Sequence, residues 1–315
     1  MILPSDASCG SRSRGAAVVM AMLLAAFAAT IAATLLWQQQ RWIGEHQHRR
    51  DQVQAQALAM AGVQWTRQIV FENAPAGSIV HLGQPWALRL PAMPIENGSI
   101  GGYIIDAQGR ININNLSTGS TAATSTRAAL QRLFAALALP ANLVNAVGDW
   151  VDADDKTSDP GGAEDAWYLA QPIATLAANA PVRRVGELLL VRDVGPVSMA
   201  RARPFVAALD APTAVNVNTA PAEVLAAIVD GLDAEAAALL VASREKTPFA
   251  TIGYFKARLP RPDMVTDESL LDVKSDWFEV SIEARQGDTL ARARALLKRS
   301  STAGEWPIVV WQIVE

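Results

Sequence analysis

Residues Arg12-Ser-Arg-Gly-Ala-Ala-Val-Val-Met-Ala-Met-Leu-Leu-Ala-Ala-Phe-Ala-Ala-Thr-Ile-Ala-Ala-Thr-Leu-Leu-Trp37 set the frame for the whole chain. Two arginines and Gly15 precede Ala16–Trp37, which carries no charge. As a helix, 22 residues reach ~33 Å, enough to cross a bilayer core of ~30 Å. Only this run is long enough to span, so the pattern predicts one membrane segment and a soluble remainder. A secretory signal has a shorter apolar core and a small-residue exit. Here Gln38, Gln39, Gln40 and Arg41 follow without an Ala-x-Ala site, and Cys9 lies before the run, which excludes a lipoprotein signal. A plain signal anchor and an assembly helix remain open. Arginines flank both ends, so charge counting leaves the orientation open.

Beyond Trp37 the pattern stays helical. Leu58, Ala61, Trp65 and Ile69 fall on one helix face, predicting a helix to about Phe71 whose outer half packs on a globular head. Asn73-Ala-Pro-Ala-Gly then breaks it. Strands are expected at Ser78–Leu82 and Trp86–Leu90, with a hairpin of Gly102–Asp106 and Arg110–Asn114 turning at Ala107-Gln-Gly109. From Ser117 the period becomes helical, with segments expected at Ser125–Leu139, Asn142–Val151, Val185–Arg192, Val197–Leu209, Pro221–Val229 and Ala234–Arg244. Asn216, Asn218 and Thr219 are expected to cap the helix at Pro221. Period-two alternation returns around Trp277–Ala284, followed by Thr289–Arg299 and Trp306–Val314, a three-stranded antiparallel meander. The fold class is therefore α+β: a long N-terminal helix on an antiparallel sheet, with a large all-helical insertion. The expected division is 1–15, a leader; 16–73, the helix; 74–116 with 272–315, the sheet; and 117–271, the insertion.

The 315 residues carry a net charge of -4, which argues against an extended nucleic-acid surface. His46, His48 and His81 all lie early, and no phosphate loop, nucleophile elbow or metal-ligand pair is present, so nothing points to an enzyme. Asp149–Asp165 packs seven carboxylates into 17 residues. That density describes either a solvated acidic loop or a site for a hard cation such as Ca²⁺. It departs from an EF-hand: Thr157 and Ala163 stand where Gly and Glu are needed. Val215–Phe249 resembles a helix-hairpin-helix unit, with Val185–Leu209 a weaker copy. Its turn, Asp230-Gly-Leu-Asp233, puts two carboxylates where DNA phosphate would sit, so both units read as packing elements. The rival reading is a membrane-anchored DNA-binding protein of an uptake system.

Taken together, the Arg-Gly leader before the apolar run, the sheet split by a helical insertion, Gly162–Tyr168 with its Gly-Ala-Glu-Asp start, and Asn216-Val-Asn-Thr-Ala220 resemble the K-type minor pseudopilins of type II secretion. The resemblance implies cleavage after Gly15 by a prepilin peptidase and methylation of the new terminus, Ala16. Most pseudopilins have Phe there and Glu at the fifth mature position. Here that position is Met20, and absence of the Glu is the mark of the K type. The resemblance further implies Ca²⁺ on Asp152, Asp154, Asp159, Glu164 and Asp165. The implied role is capping the pseudopilus tip and starting its assembly. The implied partners are I- and J-type minor pseudopilins, other pseudopilins, the inner-membrane assembly platform and secreted exoproteins, with no nucleic acid. The implied setting is the bacterial inner membrane, crossed once, with the head in the periplasm.

Overall fold

A computed structural model describes residues 12–73, 77–119, 121–265, 267–300, 302 and 304–315. Cys9 and most of the expected leader lie outside the described residues. Helix α1 spans Arg12–Asn73, 62 residues, or ~93 Å. Within it Gly15–Asn73 contains a stretch long and apolar enough to cross a membrane. From Val18 to Trp42 its large apolar side chains are exposed. The buried face begins at Ala55.

The expected stripe on α1 is displaced. Ala55, Ala59, Gly62, Val63, Thr66 and Val70 are buried, while Trp65 is exposed and Leu58 and Ile69 are only half-buried. Close approach explains the shift. A Cβ on Gly62 would lie 2.8 Å from Ile282 Cγ2. Small side chains let the helix settle onto the sheet, and larger residues fall to the flanks.

The strands are β1 (Leu90–Ile95), β2 (Gly98–Asp106), β3 (Ile111–Asn112), β4 (Val206–Ala207), β5 (Val215–Asn216), β6 (Leu271–Asp272), β7 (Trp277–Gln286), β8 (Thr289–Lys298) and β9 (Ile308–Val314). The main sheet has the order β1-β2-β7-β8-β9 and is antiparallel throughout. Its α1-facing side is Ile104, Val280, Ile282, Ala284, Ala293, Ala295 and Leu297. The expected C-terminal meander is present as β7–β9.

The earlier strands differ from expectation. Ser78–Leu82 is irregular. Around Trp86 the chain makes a 3-10 turn, Pro85–Ala87, where Pro85 starts the turn and has no N–H for a ladder. Trp86 is buried instead, edge-on to Phe278 at 5.2 Å. The expected hairpin at 107–109 does not form. Asp106 Oδ1 accepts from Gln108 N at 2.8 Å, closing a 3-10 turn over Ala107–Gly109. The chain then leaves the sheet, and Ile111–Asn112 pairs in parallel with Val206–Ala207.

The inserted lobe holds α2 (Thr121–Ala136), α3 (Leu143–Val151), α4 (Asp165–Leu169), α5 (Pro196–Ala202), α6 (Ala222–Ile228), α7 (Ala234–Lys246) and α8 (Ile252–Lys256). It is not all-helical, because it contains β4 and β5, which pair in parallel with β3 and β6 at its two ends as separate two-stranded sheets. Two expected helices shrink. Val185–Leu190 is 3-10, and α5 stops at Ala202 because Pro204 cannot continue it. Leu130, Leu133, Phe134, Val147, Leu225, Phe249 and Phe255 share one core that also takes in Ile111, Ile113 and Leu116.

Buried asparagines join the lobe to the sheet, and they do not cap α6, whose N-cap is Pro221. Asn114 Nδ2 donates to Val182 O and Leu209 O at 2.8 and 2.9 Å. Asn216 Nδ2 donates to Val80 O, Asp106 Oδ2 and Ser275 Oγ, each at 2.9 Å. Asn218 exchanges bonds with Phe249 N and O. Thr219 Oγ1 donates to Asp106 Oδ2 at 2.6 Å. An amide side chain carries the same donor and acceptor as a peptide, so it can close a backbone ladder where no strand reaches.

Candidate metal centre

The acidic loop is built from the end of α3. Asp149, in the last turn, is fully buried, and its Oδ2 accepts from Ser158 N at 3.0 Å, folding the loop back on the helix. Asp154 Oδ1 accepts from Lys156 N at 2.9 Å, tightening the turn. Gly162 passes directly over Asp149: a Cβ there would stand 2.1 Å from Asp149 Oδ2, so no side chain fits. Glu164 follows as the N-cap of α4. Behind it Tyr168 packs edge-on to Trp150 and Trp167, and its hydroxyl accepts from Arg192 N at 3.1 Å. Arg192 also donates to Gly162 O at 2.9 Å.

Asp152, Asp154 and Glu164 can each aim one oxygen so that all three lie within 4.8 Å of one another. The cluster is short of partners. Among the described residues, Asp149 Oδ1, Asp152 Oδ1 and both Glu164 oxygens are buried with no group in hydrogen-bond geometry. Burial, followed by repulsion from Asp149, Asp152 and Asp154, pushes the Glu164 carboxyl up to about 7, with the nearby Asn179 side chain pulling the other way. Burial, then Asp154 and Asp149, pushes Asp152 up to about 6, with Arg127 pulling the other way. A cation would remove both penalties. The donors are all hard oxygens, which suits Ca²⁺ and not Zn²⁺.

Of the five residues implied as ligands, three converge. Asp159 is exposed and outside the cluster. Asp165 Oδ1 is engaged with Ala177 N at 2.8 Å, holding the next loop. Asp149 was missed, although its spacing from Asp152 places both near one helix face. Gly15, Ala16 and Met20 lie on the exposed N-terminal part of α1. In the hairpin-like unit, Gly231 takes φ +74. Asp233 Oδ1 caps α7 by accepting from Ala236 N, and Asp230 pairs with Arg132 at 3.5 Å.

Two family models, both described as type II secretion system protein K, match residues 109–211 and 215–274. The protein of that name from Aeromonas hydrophila is 30% identical over 249 residues, spanning 73% of this chain and 75% of its own length. The chain belongs to the type II secretion system protein K family. A second K protein, from Pectobacterium carotovorum subsp. carotovorum, is 29% identical over 310 residues, spanning 92% of this chain and 94% of its own. The same fold is seen in a chain of the GspK-GspI-GspJ complex from enterotoxigenic Escherichia coli. That chain matches with a TM-score of 0.73 at 23% identity, over 86% of this chain and 99% of its own. The family models cover the asparagine-stitched lobe except residues 212–214, and the acidic loop within it. This K-family chain is thus a minor pseudopilin: a long apolar helix carrying an α+β head.

Proposed function

We propose that this protein caps the tip of a type II secretion pseudopilus and helps start its assembly, in a structural and not a catalytic role. The observation that carries this reading is the pairing of Met20 with the large lobe. An unpaired carboxylate inside a bilayer costs on the order of 2.5–3.5 kcal/mol on insertion scales. The Glu of other pseudopilins answers the terminal amine of a neighbour, and a tip subunit has no neighbour above it. The lobe, 117–271, would obstruct packing within a filament. The partners are I- and J-type minor pseudopilins, the proteins named with the solved neighbour. A prepilin peptidase cuts after Gly15 and Ala16 is methylated. The helix then crosses the inner membrane once, with the head in the periplasm.

Calcium belongs to the same reading. Asp152, Asp154 and Glu164 would hold the ion, with Asp149 supplying further negative charge behind them. The ion would supply charge that lets buried Asp149 and Glu164, half-buried Asp152 and exposed Asp154 stay ionised side by side, so its part is to order the loop.

Mass spectrometry of the mature chain tests the proposal first. The expected terminus is methylated Ala16, and an intact leader or a cut elsewhere would refute the pseudopilin processing. Co-purification with I- and J-type subunits tests the tip assignment. A stable three-part complex is expected, and incorporation of this chain along filament shafts would overturn it.

A further inference from the structure

The sheet face turned away from α1 carries a feature that neither the membrane helix nor the acidic loop uses. Glu279, Leu296 and Trp311 stand in register across β7, β8 and β9. They sit one position off Val280 and Ala295, which face α1, so they point to the opposite side. Between this face and the lobe lies a cleft of about 530 Å³, the size of a small-ligand or peptide site.

Its floor is apolar, formed by Trp311, Leu296 and Leu209, and its walls carry Arg110, Arg183, Arg184, Arg203 and Arg294. Glu187 and Glu279 are the carboxylates lining it. Arg110 pairs with Glu279 at 2.7 Å, Arg184 with Glu187 at 3.8 Å and Arg294 with Glu315 at 3.0 Å. Among the described residues, the exposed guanidiniums of Arg183 and Arg203 have no carboxylate partner. Trp311 Nε1–H is buried and, among the described residues, donates to nothing. A chain with a net charge of -4 thus keeps a positive cleft with an apolar floor and an unused donor.

We propose that this cleft docks an acidic segment of a partner protein, with carboxylates on Arg183 and Arg203 and an apolar side chain between them on Trp311. Charge complementarity selects such a segment and steers its approach. The net charge of -4 opposes an extended nucleic-acid backbone, whereas a short acidic segment meets only the cleft itself. A lipid surface is opposed by position. The turn at Gly287 lies beside Asp51 of α1, whereas Phe71 stacks on Trp306 at 5.2 Å, just before β9. Phe71 is ~50 Å along the helix from Trp37, so the cleft belongs to the end of the sheet remote from the membrane segment.

The test uses the full chain in nanodiscs and fluorescence anisotropy of a labelled peptide, Asp-Glu-Leu-Asp-Glu, with Lys-Lys-Leu-Lys-Lys as the control. Saturable binding of the acidic peptide is expected, lost about tenfold in the double variant Arg183→Glu with Arg203→Glu and weakened by salt. The milder Arg203→Gln should weaken it about threefold, which keeps the test sound should the double variant misfold. Absence of binding below about 1 mM, equal binding of the basic peptide, or full binding by both variants would overturn the proposal. Displacement of the peptide by phosphatidylglycerol vesicles, and not by phosphatidylcholine vesicles, would also overturn it by assigning the cleft to lipid.

Discussion

Glu164→Gln should shift stability in opposite directions with and without calcium. Oxygens of Asp152, Asp154 and Glu164 lie within 4.8 Å of one another. At that separation each like-charged pair costs about 0.9 kcal/mol in bulk water and about 3.5 kcal/mol at an effective dielectric of ~20. Glutamine removes two such pairs, and its amide can donate to the buried oxygens that lack partners. After losses from screening and relaxation, the calcium-free protein at about pH 8 should gain on the order of 1–2 kcal/mol, or about 2–4 °C in Tm for each kcal/mol. With calcium at ~100 times its Kd, the parent chain gains about 2.7 kcal/mol. On the proposed calcium reading the variant lacks one charged ligand and should lose most of that. Calorimetric melts of the full chain in detergent, in EGTA and in calcium chloride, would show the two proteins exchanging rank. A variant that is less stable in EGTA, or that keeps the full calcium-induced rise, would refute the reasoning.

Three further outcomes follow from the packing and the charges. The raised carboxyls of Glu164 (about 7) and Asp152 (about 6) sit above their ordinary values of 4.5 and 3.8, so ionising them opposes folding. The calcium-free protein should therefore melt higher as pH falls from about 8 to about 5, while calcium affinity falls over the same window; a flat melting profile would contradict this. Gly62→Leu should cost about 1–3 kcal/mol by overpacking against Ile282, read as a lower urea midpoint at constant slope, and an unchanged midpoint would mean the helix is not seated as described. Asn216→Ala removes bonds to Val80, Asp106 and Ser275, and should cost roughly 2–4 kcal/mol. It should also raise the Asp106 carboxyl further, since burial already pushes that group up and Ser275, Thr219 and Asn216 hold it back; carboxyl NMR titration reads the change.

The long helix and the β7–β9 meander were legible because each is carried by local periodicity: a charge-free run of spanning length, and strict alternation from Trp277 onward. The pairing of β2 was not. Its partner β7 lies beyond the lobe, and the nearest downstream run, Arg110–Asn114, has equally good alternation. Only the Asp106 side chain closing a 3-10 turn, with Gly109 so close to Thr219 that a Cβ there would stand 2.9 Å from Thr219 Oγ1, distinguishes the outcome. The asparagines looked like caps because capping and ladder mimicry use the same residue type. In the acidic loop, composition located the carboxylates but could not say which of them converge. Asp159 and Asp165 are as acidic as Glu164, and only the fold decides which carboxylates turn inward.

The split sheet has a consequence for how the molecule is made. Arg110 and Glu279, an ion pair 169 positions apart, stand near the two edges of the inserted lobe. Synthesis runs from the N-terminus, so α1 and β2 exist long before β7 and β8, the strands that cover them. Until then the small-residue face at Ala55, Ala59 and Gly62 and the open side of β2 have no native cover, whereas the lobe can already close its own core. Pairings this distant pay their loop-closure entropy before any contact rewards them, which slows folding and exposes the waiting edge to aggregation. The head is thus expected to assemble in two stages, lobe first and sheet last, with the final strands acting as a latch on a helix that has been waiting for them.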